Sequence, residues 1–297
     1  MQRKTDLRIL AVGPTTRGDQ TWERCFNPDG SVCPERVRSQ FVGLYTSLSG
    51  VELVMHEGAG DAVFAQDPWT PIYTPNGTGR PRVMLNRMGV ASRSGEAEAR
   101  LGTLRRFFRE DEILRMPEGA MHEGGDVIIA WSNEHHCWVY FVGRPCKSKG
   151  RTNQAGRDAL RVAVEANGNR FEEVDFNACS ASGGALHLST CCGFAGPNSD
   201  GVLHVIAGQN QLLDTSPFEA HGIKVLWAPR GEEWGSNVLR LPIQDAPLNV
   251  QSGYDGVVRV LMDNGYDNVP MSILNWDEVR KIDGSLTCAL CVLQVAG

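Results

Sequence analysis

The 297-residue chain reads as an α/β protein of propeller type, with about five hairpin–helix–strand units set around a central axis. Three observations predict this. Helix-period apolar stretches alternate with strand-like stretches from end to end. The alternation recurs roughly every 60 residues, which is the mark of a repeated unit. No linker, low-complexity tract or composition shift divides the chain, so residues 1–297 are expected to form a single domain. One small sheet and one helix per unit cannot bury both apolar faces alone, so the units should pack on each other. Radial packing leaves few exposed strand edges.

The elements follow in order. Val37, Phe41, Leu44 and Leu48 share one helical face ahead of Ser49-Gly50. Ala97, Leu101, Leu104 and Phe108 form a second face. Ala159, Val162, Ala163 and Ala166 form a third, closed by Gly168, and Val257, Val258 and Leu261 lie in a helix ending at Asn264-Gly265. A helix over 212–220 is weakened by Pro217. Hairpins are expected from 126–131 with 137–142, from 187–194 with 202–207, and from 62–72 with 83–86, each pair flanking a polar or Pro/Gly-rich turn. Short strands should follow the helices at 51–55, 170–174 and 223–227. The last strand, 286–295, is expected to pair with the first, 7–12, and close the ring.

Bulk properties exclude several classes of function. A net charge of −6 gives no electrostatic reason to expect nucleic acid or an anionic membrane as partner. The apolar run after the basic N-terminus stops at Val12, too short for a signal-peptide core, and no stretch approaches a membrane span. A cytoplasmic protein is expected. Nine cysteines, an odd number, are too few for a disulfide scaffold and read as reduced. Cys288-Ala289-Leu290-Cys291 has redox-motif spacing, but no helix follows it and no second Cys or His pair accompanies it as zinc would need. No metal is expected, and the sequence assigns no oligomeric state.

The polar residues that stand out fall at one phase of the repeat. Asp61 and Asp67 open the second unit, Glu123 and Asp126 the third, His187 the fourth and Asn237 the fifth; Cys288 begins the closing strand. In a ring of like units equal phase means equal radial position, so these groups should converge on the axis. Each has a plainer reading alone. Glu123-Gly124-Gly125-Asp126 suits a turn into a strand, His187 between two leucines suits a core histidine, Asp67-Pro68 suits a turn, and Arg151-Thr152-Asn153 suits a helix cap. Their coincidence at matching phase favours a site.

The residue types fit a planar cationic substrate. A guanidinium presents N–H donors in a fixed fork, for which carboxylates are the natural cradle. Its central carbon is a poor electrophile and calls for a strong nucleophile, which a thiolate supplies. The substrate's own charge helps to lower the thiol pKa. One histidine can protonate the departing amine and then deprotonate water.

Four segments carry a resemblance to a known family: 123–127; Gly150-Arg151-Thr152-Asn153-Gln154-Ala155-Gly156; 186–188 with Phe194-Ala195-Gly196-Pro197-Asn198; and Asp283-Gly284-Ser285-Leu286-Thr287-Cys288. The chain resembles the guanidino-modifying superfamily with the pentein fold, the five-bladed α/β propeller. Within that superfamily it looks most like the dimethylarginine dimethylaminohydrolases. Arg-Thr-Asn-Gln and Asp-Gly-x-Leu-Thr-Cys are the motifs specific to that branch. The resemblance implies Cys288 as nucleophile, His187 as general acid and then base, and Glu123 as the group that orients His187. It further implies Asp67 on the guanidino nitrogens, Arg151 and Arg93 on the α-carboxylate, Asp61 near the amino-acid end, and the Ile282 carbonyl on the α-ammonium. Asp126 is counted with the substrate-binding residues, and 13–29 lies where the family has a mobile lid. The implied reaction converts asymmetric dimethylarginine or monomethylarginine to citrulline and dimethylamine or methylamine, through a covalent thiouronium intermediate and without cofactor.

Two features depart from that pattern. Gln66 stands before Asp67 where dimethylargininases usually carry an acid. The run Asp67-Pro68-Trp69-Thr70-Pro71 is reminiscent of arginine deiminases, and Trp69 is placed to reshape the pocket for the N-methyl groups. The chain lacks the extra helical insertion of the deiminases. A hydrolase of free arginine or citrulline is therefore the alternative, with amidino transfer or a non-catalytic binding propeller behind it.

Overall fold

The computed structural model describes residues 7–11, 31–48, 51–55, 64–75, 80–146, 151–177, 186–242, 246–282 and 284–294. Asp61, Asp283 and the stretch 13–29 lie outside the described residues.

Among the described residues five small sheets carry the strands. In the third, β6 (Val127–Ser132) and β7 (Cys137–Pro145) form an antiparallel hairpin, and β8 (Arg170–Phe176) returns parallel to β7 after the helix Gln154–Ala166. The same plan gives β3 (Trp69–Ile72), β4 (Arg82–Leu85) and β5 (Ile113–Arg115), and again β9 (Cys192–Pro197), β10 (Leu203–Ala207) and β11 (Ile223–Trp227). In the fifth unit β12 (Leu248–Gln251) and β13 (Met271–Leu274) run parallel, and a bridge between Leu239 and Asn249 stands in for the first hairpin strand. The first unit is completed from both ends of the chain. β14 (Leu290–Gln294) pairs antiparallel with β1 (Leu7–Ala11), and β2 (Glu52–Met55) lies parallel on the other side. That pairing closes the ring, as the sequence predicts.

Apolar burial lies between neighbouring units. Val54, Trp69, Leu85 and Leu293 share one core; Tyr73, Val127 and Trp138 another; Ile128, Phe141, Val205 and Ile223 a third. Ile206, Val238, Leu248 and Tyr266 join the fourth unit to the fifth, and Phe41, Leu44, Trp276, Val279 and Leu290 join the fifth to the first. Each blade buries its faces against the next, which is why one unit would not stand alone.

Several elements differ from expectation for local reasons. The Gln154–Ala166 helix buries Leu160, Ala163 and Val164, while Val162 is 68 % exposed. The larger apolar side chains decide the inward face and rotate it off the alanine stripe. Gly168, with φ +79°, ends that helix in the left-handed region where glycine alone is unstrained. The 97–108 stretch folds as two short turns, Glu96–Ala99 and Leu101–Leu104, and still buries Ala97, Leu101, Leu104 and Phe108. The 212–220 helix contracts to Ser216–Glu219, which places Pro217 in its first turn where no N–H is needed. Two expected strands are trimmed at the axis. His187 precedes a helical turn, Leu188–Cys191, and Thr287–Ala289 form a 3₁₀ turn ahead of β14. Among the described residues no helix is long and apolar enough to cross a membrane.

Candidate active site

Each blade enters its inner strand through a short turn, and the predicted polar residues sit on those turns. One hydrogen-bond circuit links the turns in order around the axis. Gln66 N donates to the Cys288 carbonyl at 3.2 Å, and Gly124 N to the Asp67 carbonyl at 2.9 Å. Leu188 N donates to Asp126 Oδ1 at 3.2 Å. Asn237 Nδ2 donates to the Ser189 carbonyl at 2.5 Å and to Thr287 Oγ1 at 2.8 Å, returning to the segment of Cys288. Equal phase along the chain thus becomes contact between successive turns.

On this circuit His187 Nε2 meets Glu123 Oε2 at 2.9 Å. Glu123 is held in turn by Gly89 N at 2.9 Å on Oε1 and by Arg151 Nη1 at 3.4 Å on Oε2. One polar side-chain atom from each of Asp67, Glu123 and His187 lies within 4.8 Å of the other two. Asp67 Oδ1 accepts from Gly125 N at 3.0 Å, and Oδ2 from Arg93 Nη1 at 2.8 Å. The Gly-Gly pair is needed for space as well as for the turn. A Cβ at Gly125 would lie 2.7 Å from His187 Nδ1 and 2.8 Å from Asp67 Oδ1. One at Gly124 would lie 2.1 Å from the Gln66 carbonyl oxygen. Cys288, buried in the 3₁₀ turn, has Ser285 Oγ at 3.1 Å from its sulfur.

Electrostatics set the resting protonation. Burial disfavours the charge on His187, but the Asp67 carboxylate, the Glu123 hydrogen bond and Asp126 outweigh it and lift its pKa to about 9. Burial first, and Asp67 next, push the Cys288 thiol up to about 11, against the Ser285 hydrogen bond and Arg93. Asp67 stays below the usual carboxylate range: burial would raise it, but His187 and Arg93 hold it down. At neutral pH imidazolium and thiol are therefore the favoured forms. A cation entering beside Cys288 favours release of the thiol proton.

The remaining predicted residues are placed as follows. Asp126 spends both oxygens on the protein, Oδ1 on Leu188 N and Oδ2 on Thr152 Oγ1 at 2.5 Å, and so anchors the His187 segment. Arg93 is buried and bridges Asp67 and Glu96, bonding Glu96 through Nε at 2.9 Å and Nη2 at 2.8 Å. Its guanidinium thus lies at the carboxylate expected to receive the substrate. Arg151 keeps 27 % of its side chain exposed and stands at the rim. Ile282 packs beside Leu286 and Cys288 in one core. Trp69 belongs to the core between the first and second blades. With Gln66, Ser189 and Leu290 it lines an axial cavity of about 120 Å³, whose lining includes none of Cys288, His187, Glu123 and Asp67.

Ser285, Gly125 and Thr152 lie inside segments that the sequence singles out, without a role in the site assigned to them, and Gly89 lies outside those segments. Ser285 stood in the motif as its variable position, and a Ser three residues before a Cys in a turn was the available signal. Gly89 acts through its backbone N–H and carries no side-chain signal.

No family model matches the chain. Among solved structures, it is similar to a dimethylarginine dimethylaminohydrolase of Pseudomonas aeruginosa complexed with citrulline. The TM-score is 0.71 at 19 % identity, over 96 % of this chain and 98 % of that one. It is similar as well to the N-terminal domain of ArgZ, an arginine dihydrolase from the ornithine–ammonia cycle in cyanobacteria. There the TM-score is 0.70 at 15 % identity, over 97 % of each chain. The amidinotransferase SxtG of Microseira wollei matches with TM-score 0.65 at 16 % identity, over 99 % of this chain and 96 % of that one. The fold is the pentein α/β propeller. This frame accounts for the five sheets of the described residues, the ring closure by β14 on β1, and the meeting of the turn residues around the axis.

Proposed function

We propose that the protein is a cysteine-dependent hydrolase of the guanidino C–N bond, acting on asymmetric dimethylarginine or monomethylarginine. The observation that carries this reading is the convergence of Asp67, Glu123 and His187 within 4.8 Å beside the Cys288 turn. The ligands named for similar folds, citrulline among them, agree with a substrate of this class.

In this reading Asp67 and Glu123 cradle the guanidinium, and Arg93 turns from Asp67 to the incoming α-carboxylate, with Arg151 at the rim. Asp61 and the Ile282 carbonyl take the amino-acid end. The Cys288 thiol loses its proton to solvent as the cation binds, since His187 is already protonated, and the sulfur attacks the central carbon. Nε2 of His187 is engaged by Glu123, so Nδ1 delivers the proton to the departing amine as the C–N bond breaks. The neutral imidazole then takes a proton from water, whose oxygen adds to the thiouronium carbon. The C–S bond breaks, leaving citrulline and the thiol.

Free arginine is the second reading, favoured by Gln66 in place of an acid and by the equally extensive match to an arginine dihydrolase. Amine release and citrulline formation from asymmetric dimethylarginine, beside free arginine and with Cys288→Ala as control, decide between them. Dimethylamine from the wild type alone supports the first reading; ammonia from arginine alone supports the second. No amine from either would overturn both.

A further inference from the structure

Ser285 is wholly buried, and its hydroxyl oxygen lies 3.1 Å from the sulfur of Cys288. Cys288 N donates to the Ser285 carbonyl at 3.1 Å, closing a turn of 3₁₀ type. In such a turn side chains three residues apart eclipse one another, so the hydroxyl and the thiol share one face by backbone geometry. Ile282, Leu286 and Ala289 pack in the same core as Cys288. Among the described residues the Cys288 sulfur is the hydrogen-bond partner of the Ser285 hydroxyl. The charged groups acting on that sulfur are Asp67, which opposes a thiolate, and Arg93, which favours one. Arg93 is itself committed to Asp67 and Glu96.

We propose that Ser285 is a positioning residue for the nucleophile: its hydroxyl donates to the Cys288 sulfur, holds it on the substrate side of the turn and favours thiolate over thiol. A hydrogen bond to an anion is about twice as strong as one between neutral groups. The hydroxyl therefore stabilises the reactive form more than the resting one. The inference rests on the reading of Cys288 as nucleophile, and it adds a residue type that the motif leaves open at this position.

The test is the rate at which iodoacetamide alkylates the Cys288-containing peptide, followed by mass spectrometry from neutral to alkaline pH, in the full chain without substrate. Ser285→Ala should move the inflection to higher pH and slow alkylation at neutral pH by about tenfold, the equivalent of one pKa unit. Ser285→Thr, which keeps the hydroxyl, should restore the wild-type profile. Ser285→Gly provides a second hydroxyl-free variant should the alanine protein fold poorly. A Ser285→Ala profile that superimposes on wild type would overturn the proposal. So would a rate lowered equally at every pH, which would mean altered access only. Alkylation requires no turnover. A shifted profile in a protein that cleaves no guanidino compound would uphold the role of Ser285 and reject the substrate. An unshifted profile in an active hydrolase would do the reverse.

Discussion

His187 and Cys288 pull in opposite directions at rest, because Asp67 favours the imidazolium and disfavours the thiolate. On the proposed mechanism the thiolate forms only once a cation binds, and truncation of each residue tests a different step. Cys288→Ala should lower citrulline formation by about a thousandfold or more, since the hydroxyls and carboxylates left on the circuit are far weaker nucleophiles than a thiolate. Its melting temperature should stay near wild type, because little packing is lost. His187→Ala should instead accumulate the covalent adduct; intact-protein mass spectrometry with substrate would record the mass gain. A second consequence is linkage. The pKa of His187 is raised from 6.5 to about 9 in the fold, so its contribution to stability is complete below about pH 6.5. That contribution fades as pH rises through about 9. His122 is buried between Thr70 and Thr152 and depressed to about 3, so its contribution is present above about 6.5 and is lost as pH falls toward 3. Thermal melts across pH should therefore fall on both sides of neutrality, and His187→Gln should flatten the alkaline limb and, because the His187 charge helps to depress His122, soften the acid limb as well.

At the scale of elements, the turns matter more than the strands they introduce. The Glu123–Asp126 turn works because Gly125 leaves room for His187 and Asp67. Gly125→Ala should displace both side chains and lower kcat by about a hundredfold, the order expected for an ångström of misplacement. Because the blade cores are untouched, denaturant midpoints should shift far less than activity; an active Gly125→Ala enzyme would show that the close fit is not required. The helix Gln154–Ala166 illustrates local legibility. Asn153 was a predicted cap candidate, and its Oδ1 accepts from Gly156 N at 2.8 Å and also from Met121 N at 3.0 Å. The cap was readable from residue type. The second bond, which ties the helix start to the strand of residues ahead of Glu123, depends on a partner distant in sequence. The inward face of the same helix was misread by one position, because a stripe of alanines gives periodicity without deciding which larger neighbours fill the core.

Across the whole molecule, the circuit of turn hydrogen bonds closes at Asn237, which spans the fourth, fifth and first blades through Ser189 and Thr287. Asn237→Ala leaves buried partners unsatisfied and should cost about 1–3 kcal/mol. Equilibrium urea unfolding measures that cost. An unchanged midpoint would mean that the blade interfaces alone hold the ring.

The alternation of helix and strand periods, its recurrence and the common phase of Asp67, Glu123, His187, Asn237 and Cys288 were all present in the sequence. They determined the propeller architecture and which turns would meet, because period and phase are properties of the chain itself. Pairing of Asp67 with Arg93, the commitment of Asp126 to Leu188 and Thr152, and the hydroxyl of Ser285 beside Cys288 were decided only by the tertiary structure. Which partner a polar group takes depends on distances across blades and on the burial that excludes water, and residue order encodes neither.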